Sequence, residues 1–188
     1  PAGAATEVTL GVRGDTFTIP SGVTFTNNGT ASGFPAGVDL VDTVVITSSG
    51  TYTPTSGTKF VTVYCTGGGG GGGGAQCNDT SARSLGGGGG GGGTAIRTYN
   101  ATELGATGAV TIGSGGSGAG AGGKGSDGSN STFNPAGTGT TITGQGGEGG
   151  YGNSTGGNQA GMHGDGGNAI DGQLNARGMP GRDGNVSG

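Results

Sequence analysis

The sequence predicts a mostly β protein with added polyproline II structure, arranged in two parts. A small N-terminal β-sandwich or β-prism is predicted over residues 1–66, and a glycine-rich polyproline II helix bundle over residues 67–188. Of the 188 residues 55 are glycine, and 46 of these follow position 66. Only 27 residues are Leu, Ile, Val or Phe, and 17 of them precede position 67. Because an ordinary α or α/β enzyme fold needs a larger apolar core, this composition excludes one.

Short strands are predicted in the first part, where polar and apolar residues alternate. The alternating stretches are residues 7–12, 16–19, 23–26 and 59–64, with a β-branched run over 41–47. Gly, Pro, Asn and Ser separate these stretches, as strand boundaries require. Five or six short strands in 66 residues favour a β-rich shaft or attachment domain.

Two uninterrupted runs of eight glycines, at residues 67–74 and 86–93, begin the second part. Related stretches follow at residues 113–123, 144–150, 161–167 and 178–188. Glycine-rich chains are usually flexible linkers, but these runs have similar lengths and are separated by ten to twenty residues of ordinary sequence. A polyproline II helix directs its N–H and C=O groups outward, and only glycine lets neighbouring backbones approach closely enough to pair. The runs therefore favour a bundle over a linker.

Glycine recurs at every third position where the later runs border other residues. The two series are Gly161, Gly164 and Gly167, then Gly178, Gly181 and Gly184. Because polyproline II has three residues per turn, this spacing keeps glycine on one face of each helix.

The order of the segments resembles that of glycine-rich phage tail-fibre domains. Tyr64-Cys65-Thr66 leads into the first glycine run, and residues 95–99, 101–105, 110–116, 130–133 and 141–147 follow in the order found in that family. The resemblance covers roughly residues 60–167. It implies a receptor-binding adhesin at the tip of a virion tail fibre, or an extracellular or cell-surface protein if phage-derived. It also implies attachment to the rest of the fibre and a homotrimer, with a monomeric tip on another fibre as the alternative.

The resemblance and the composition together predict a topology. Runs 67–74, 113–123 and 144–150 lead outward, and the chain returns over 86–93, 129–133 and 161–167. Residues 94–112 are predicted to form a β-hairpin, whose buried side is Ile96, Tyr99, Leu104, Val110 and Ile112. The outer turns are then residues 75–85, 124–128 and 151–160.

These outer turns hold the candidate receptor-binding residues, because loops on a rigid scaffold are a common place for binding. The candidates are Asn78, Asp79, Arg83, Lys124, Asp127, Tyr151, Asn153, Asn158, Gln159 and His163. Their side chains suit sugar hydroxyls or the polar loops of an outer-membrane protein on a bacterial cell. The alternative is that they are merely solvated turn residues.

No catalytic or cofactor site is predicted, and we expect the protein not to be an enzyme. Residues 118–124 nearly match a phosphate-binding loop, but Gly125 stands where Ser or Thr must meet Mg²⁺. His163 is the only histidine, and no metal site is expected. Seven scattered Lys and Arg residues argue against nucleic-acid binding. No apolar run is long enough for membrane insertion.

Cys65 and Cys77 are the only cysteines, and we predict no disulfide between them. An extended eight-residue run spans roughly 25 Å, whereas a disulfide requires Cα atoms within about 7 Å.

The alternative function for such a sequence is a glycine-rich antifreeze or extracellular structural protein built from the same bundle.

Overall fold

The computed structural model describes residues 42–77, 83–153 and 159–185. The chain divides into two compact units, Pro1–Val44 and Val45–Gly188. The strands predicted over residues 7–26 lie outside the described residues. The change of composition at Gly67 falls inside the second unit, and the division of roles on its two sides stays a prediction.

The described residues form ten strands and one helical turn, so the mostly β class is confirmed. The elements are β1 (Gly50–Tyr52), β2 (Phe60–Thr66), β3 (Ser84–Leu85), β4 (Thr94–Asn100), α1 (Ala101–Leu104), β5 (Gly108–Thr111), β6 (Ser131–Pro135), β7 (Ile142–Gly144), β8 (Gln159–Ala160), β9 (Ala169–Ile170) and β10 (Leu174–Ala176). The alternation over residues 59–64 becomes β2. The β-branched run does not become a strand, because its described residues 42–47 make no ladder.

The strands form two antiparallel sheets and one short parallel pair. Five strands pair in the order β1-β5-β6-β7-β9, and three pair in the order β10-β4-β2. The parallel pair is β3 with β8, where Ser84 lies opposite Gln159. Strand β2 alternates between exposed and partly or fully buried residues, as expected when one sheet face packs on a core.

The apolar core draws its side chains from both antiparallel sheets. Its buried residues are Cys65, Ala95, Tyr99, Leu104, Phe133 and Ile142. The rings of Tyr99 and Phe133 lie 5.4 Å apart in a tilted arrangement that suits their quadrupoles. The Tyr99 hydroxyl donates to the Thr140 carbonyl at 2.7 Å, so its polar end is satisfied. Burial raises the pKa of Tyr99 to about 12.

The hairpin predicted over residues 94–112 is wrong. Strand β4 pairs with β2 and β10, whereas β5 pairs with β1 and β6. Helix α1 separates them: Asn100 and Glu103 form a capping box at its start, and Gly105 ends it at a φ of 71°. Of the five side chains expected on the buried side, Tyr99 and Leu104 are buried, whereas Ile112 is exposed.

Seven glycine-rich segments extend from the strands. Segment 1 is residues 67–74, segment 2 is 86–93, segment 3 is 113–119, segment 4 is 123–130, segment 5 is 145–151, segment 6 is 161–168 and segment 7 is 178–184. Each adjoins a strand at one end, within a residue or two: β2, β4, β5, β6, β7, β9 and β10, in that order. The sheets therefore join all seven segments at the same end.

Backbone hydrogen bonds connect the segments to one another at intervals of three residues. The N–H groups of Gly67, Gly70 and Gly73 donate to segment 2, and those of Gly68, Gly71 and Gly74 donate to segment 4. Carbonyls of segment 1 also accept from segments 3 and 5. Segments 2 and 5 likewise each bond to four others. Consecutive segments that bond to each other run antiparallel. From one hydrogen bond to the next, the residue number increases in one segment and decreases in the other.

Glycine spacing follows the number of neighbouring segments. In segment 1 a Cβ at Gly70 or Gly71 would overlap a backbone carbonyl of segment 5 or 3, whereas one at Gly72 would find its nearest atom at 3.8 Å. Segment 5 has the same pattern, but its open third positions carry Gln145, Glu148 and Tyr151. In segment 7, which bonds to two segments, only every third residue is glycine.

Both cysteines are free, as the extended run between them predicts. Cys65 is buried in the core, and Cys77 is exposed after segment 1. Burial raises the pKa of the Cys65 thiol.

We expect Gly71→Ala and Gly72→Ala to differ strongly in stability, although they are neighbours. The new Cβ of Gly71→Ala would collide with the Ser117 carbonyl, and moving a fixed backbone should cost about 1–3 kcal/mol or more. Gly72→Ala, the matched control, places its Cβ 3.8 Å from the nearest atom, which is an ordinary van der Waals contact. It should change the free energy of unfolding by less than about 1 kcal/mol, as measured by urea denaturation. Equal losses in both variants would contradict this packing.

Candidate functional site

In segments 4, 5 and 6, every third residue has a side chain that points away from the neighbouring segments. These side chains lie next to one another. Hydrogen bonds from Gly125 to Gly150 and from Gly128 to Gly147 fix the register of segments 4 and 5, and equivalent bonds fix segments 5 and 6. Three rows result, which we call the polar face: Lys124, Tyr151 and Met162; then Asp127, Glu148 and Asp165; then Asn130, Gln145 and Asn168.

Four residues of the polar face form a connected group, the Lys124 cluster: Lys124, Asp127, Glu148 and Tyr151. Lys124 Nζ donates to Glu148 Oε1 at 2.8 Å and to Asp127 Oδ1 at 3.3 Å. The Tyr151 hydroxyl donates to the same Glu148 oxygen at 2.7 Å. The ammonium also lies 4.8 Å from the centre of the Tyr151 ring, a cation–π distance. These contacts fix all four side chains while leaving them accessible to solvent.

The charges of this cluster are fixed over the whole neutral range. The Lys124 ammonium, with help from the Tyr151 hydroxyl and the Asp165 N–H, lowers the pKa of Glu148 to about 2. The Gly149 N–H and then Lys124 lower the pKa of Asp127. Hydrogen bonding to Glu148 raises the pKa of both Lys124 and Tyr151. The cluster therefore offers one ammonium, two carboxylates and a phenol in a set arrangement, which suits recognition of a polar ligand.

The described bases of the predicted outer turns 75–85 and 151–160 lie at one end of the segments, opposite the sheets. The outer turn predicted at residues 124–128 is wrong: these residues lie within segment 4, because their backbone pairs with neighbouring segments, and the chain turns at residues 120–122 instead. The Gly74 N–H donates to Gly123, and the Asn153 N–H donates to the Gly74 carbonyl. The bases of turns 75–85 and 151–160 are also joined by the β3–β8 pair and by a bridge between Ala75 and Asn153. Lys124 and Tyr151 form the row of the polar face closest to this end.

The structure brings together three of the ten candidate residues, Lys124, Asp127 and Tyr151. Asn153 is instead buried at 8% exposure, and its backbone holds the base of a turn. His163 pairs with Asp183 of segment 7 at 2.7 Å, which lowers the pKa of that carboxyl.

Five candidates remain, and two of them lie among the described residues. Arg83 is an exposed residue beside β3, and the backbone of Gln159 lies in β8. Asn78, Asp79 and Asn158 lie outside the described residues. A receptor-binding role for any of the ten stays a prediction.

Glu148 is the central residue that sequence reasoning missed. It lies in a glycine run rather than in a turn, so the search for loop residues passed over it. The signal was present in the spacing of Gln145, Glu148 and Tyr151, which interrupt the run at every third residue.

Two features bear on the chemistry of the described part of the chain. None of its helices is long and apolar enough to cross a membrane. Residues 42–77, 83–153 and 159–185 also contain no group of three or more His, Cys, Asp or Glu side chains placed to hold a metal ion.

Comparison with known proteins gives one match. A family model described as a glycine-rich domain matches residues 43–188. No curated protein and no solved structure matches the chain.

We expect Lys124→Met to raise the pKa of Glu148 from about 2 toward its ordinary 4.5, because the ammonium is the largest cause of the depression. In the wild type the stabilising contribution of Glu148 is present above about pH 4.5 and is lost as the pH falls through 2. The variant should lose most of that contribution. Carboxyl-carbon NMR during a pH titration measures the pKa directly.

Arg177→Met is the control for this titration, because Arg177 pairs with Asp165 at 3.5 Å and not with Glu148. The pKa of Glu148 should not change in that variant. An unchanged pKa in Lys124→Met would contradict the contacts of the cluster.

Proposed function

Because the chain belongs to the glycine-rich domain family, and because it resembles phage tail-fibre domains, we propose that it is a non-enzymatic adhesin. Its partner is a bacterial surface receptor, either polar loops of an outer-membrane protein or a surface glycan. Its location is the tip of a virion tail fibre, or the cell surface for a phage-derived fibre. The observation that carries the proposal is that the described bases of turns 75–85 and 151–160, together with the turn at 120–122, lie beside the Lys124 cluster at the end of the segments away from the sheets.

We also infer that the seven segments are polyproline II helices packed as a bundle. The three-residue period of their hydrogen bonds supports this, since polyproline II has three residues per turn. So does the direction of those bonds, because N–H and C=O groups of segment 1 point outward to four different segments. Backbone pairing then replaces the missing apolar core.

Segments joined to one another by backbone hydrogen bonds are rigid, so little conformational entropy is lost when a ligand binds. The Lys124 cluster adds groups suited to hydroxyls: fixed carboxylates accept hydrogen bonds, and Lys124 donates them. Tyr151 is 41% exposed, so part of its ring is available to a sugar or an apolar side chain. Side chains at the third positions that point away from neighbouring segments, such as Glu148 and Tyr151, can change without altering a glycine that the packing needs. Attachment to the rest of the fibre and homotrimer formation belong to the same proposal.

We expect a fluorescently labelled chain to bind some strains in a panel of Gram-negative cells and not others. The double variant Lys124→Ala/Tyr151→Ala should lower that binding about tenfold or more, since central aromatic and charged contacts dominate many interfaces. Replacing residues 154–158 by Gly and Ser, with the paired bases of the turn retained, tests the neighbouring turn separately. Flow cytometry across a concentration series measures both effects.

The matched control is Arg177→Ala/Met179→Ala, which removes an exposed cation and an exposed apolar side chain where segment 7 begins, near the sheets. This control should bind like the wild type. Selective binding that survives both test variants would move the receptor site elsewhere on the chain. Absence of binding to every strain, together with thermal hysteresis in solution, would instead favour the antifreeze alternative. The exposed glycines of segments 1 and 3, such as Gly72 and Gly118, would then be the ice-facing strip.

A further inference from the structure

The segments have two outward sides, and the residues at their unconstrained positions differ. On the side formed by segments 1, 2 and 3, a Cβ added at several glycines would find its nearest atom at 3.5 to 3.8 Å. We call these exposed positions the glycine face: Gly69, Gly72, Gly91, Gly115 and Gly118. On the side formed by segments 4, 5 and 6, all nine such positions carry the side chains of the polar face. Packing does not account for this difference, and a binding role for the whole polar face does.

The polar face offers hydrogen-bonding groups along its whole length. Eight of its nine side chains can donate or accept, and the exception is Met162. The row farthest from the turns consists of amides, which do both: Asn130, Gln145 and Asn168. The Gly146 N–H donates to the Asn130 side chain at 3.0 Å and so holds this amide in place. A ligand with many hydroxyls would therefore find partners in every row.

The five-stranded sheet prolongs this polar surface beyond the segments. Strand register pairs Thr132 with Thr143, and the Thr141 hydroxyl donates to Asn134 at 2.6 Å on the same side. The neighbours of Thr132 and Asn134 in β6 are buried, so these two residues face outward. From Lys124 to Asn134 the extended backbone covers roughly 30 Å. The surface is therefore long enough for several units of a linear chain.

The charge of this surface argues against an anionic ligand and against a protein loop. Its middle row holds three carboxylates, Asp127, Glu148 and Asp165, whose salt bridges involve two cations, Lys124 and Arg177. The remaining negative charge repels phosphates and uronates. The centre of a protein interface is depleted of charge and enriched in aromatic and apolar side chains. Neutral hydroxyls fit this surface, because carboxylates accept from them and amides both donate and accept.

We propose that the polar face and its continuation on the sheet bind a neutral linear glycan that lies along segments 4 to 6. Glycan binding rests on the proposed adhesin function and narrows its receptor to one of two classes. Sugar hydroxyls bond to the amide row and the carboxylate row, and the exposed part of the Tyr151 ring packs on a sugar near the turns. Rows recur about every 9 Å, which is three residues of polyproline II. Each further sugar unit that reaches a row adds contacts, so affinity rises with chain length.

The test uses purified polysaccharides from the strains of the flow-cytometry panel, detached from lipid by mild acid. They are grouped as neutral or as containing uronate or phosphate. Isothermal titration calorimetry should show binding to neutral chains from the strains that the protein binds. Fragments of a single repeat should bind at least about tenfold more weakly than fragments of three repeats, because they lose the hydrogen bonds of the rows they do not reach.

A double variant tests whether the ligand extends to the amide row. Gln145→Ala/Asn168→Ala removes two amides that lie outside the Lys124 cluster and away from the turns. It should weaken binding of the three-repeat fragment about tenfold or more. Gly72→Ala/Gly118→Ala on the glycine face is the matched control and should bind like the wild type. Thermal unfolding midpoints equal to that of the wild type exclude misfolding as the cause.

Three results would overturn glycan binding while leaving the adhesin function in place. They are selective binding to cells whose purified polysaccharide does not bind, a preference for acidic polysaccharides, and unchanged affinity in Gln145→Ala/Asn168→Ala. Failure to bind any strain would instead overturn the adhesin function itself, and glycan binding with it. Cell binding and polysaccharide binding are measured separately, so the two failures are distinguishable.

Discussion

Close approach between glycine backbones is the constraint on which the rest of this protein depends. Segment 1 gives its N–H groups to segments 2 and 4 and receives donors from segments 3 and 5. Such density is possible only where no Cβ intervenes, as the overlap at Gly70 and Gly71 shows. In most proteins an apolar core holds the fold together, and backbone polar groups pair within helices and sheets. Here the backbone hydrogen bonds between segments are themselves the main source of cohesion. This explains how so few large apolar residues suffice.

The same constraint divides the positions of each segment into two kinds. Positions that face another segment must be glycine, and positions that face solvent may carry any residue. Segment 5 illustrates the division, because Gly146 and Gly147 face neighbouring segments while Gln145 and Glu148 project from the surface. The Lys124 cluster assembles on this exposed side without any contribution from a packed core.

The two ends of the second compact unit have different physical characters. At one end, strands that continue into the segments enclose an aromatic core around Tyr99 and Phe133. At the other end, backbone pairs between short elements hold the bases of the turns. The core fixes the position at which each segment leaves the sheets. The hydrogen bonds between segments hold the segments in that arrangement as far as the turns. The binding surface that we propose at the distal end gains rigidity from contacts made far from it.

The β class, the strand at β2, the two free cysteines and the three-residue glycine period all follow from the sequence alone. Lys124, Asp127 and Tyr151 are also candidates from the sequence alone, because the predicted outer turns contain them, although Lys124 and Asp127 lie in segment 4. The tertiary structure was needed to show that β4 and β5 belong to different sheets, and that Glu148 joins residues 21 to 24 positions earlier in the chain. The physical reason is that glycine segments are locally identical and carry no side chain to specify a partner. Their register comes from the distant strands that flank them, so neighbours across the polar face cannot be assigned from local sequence.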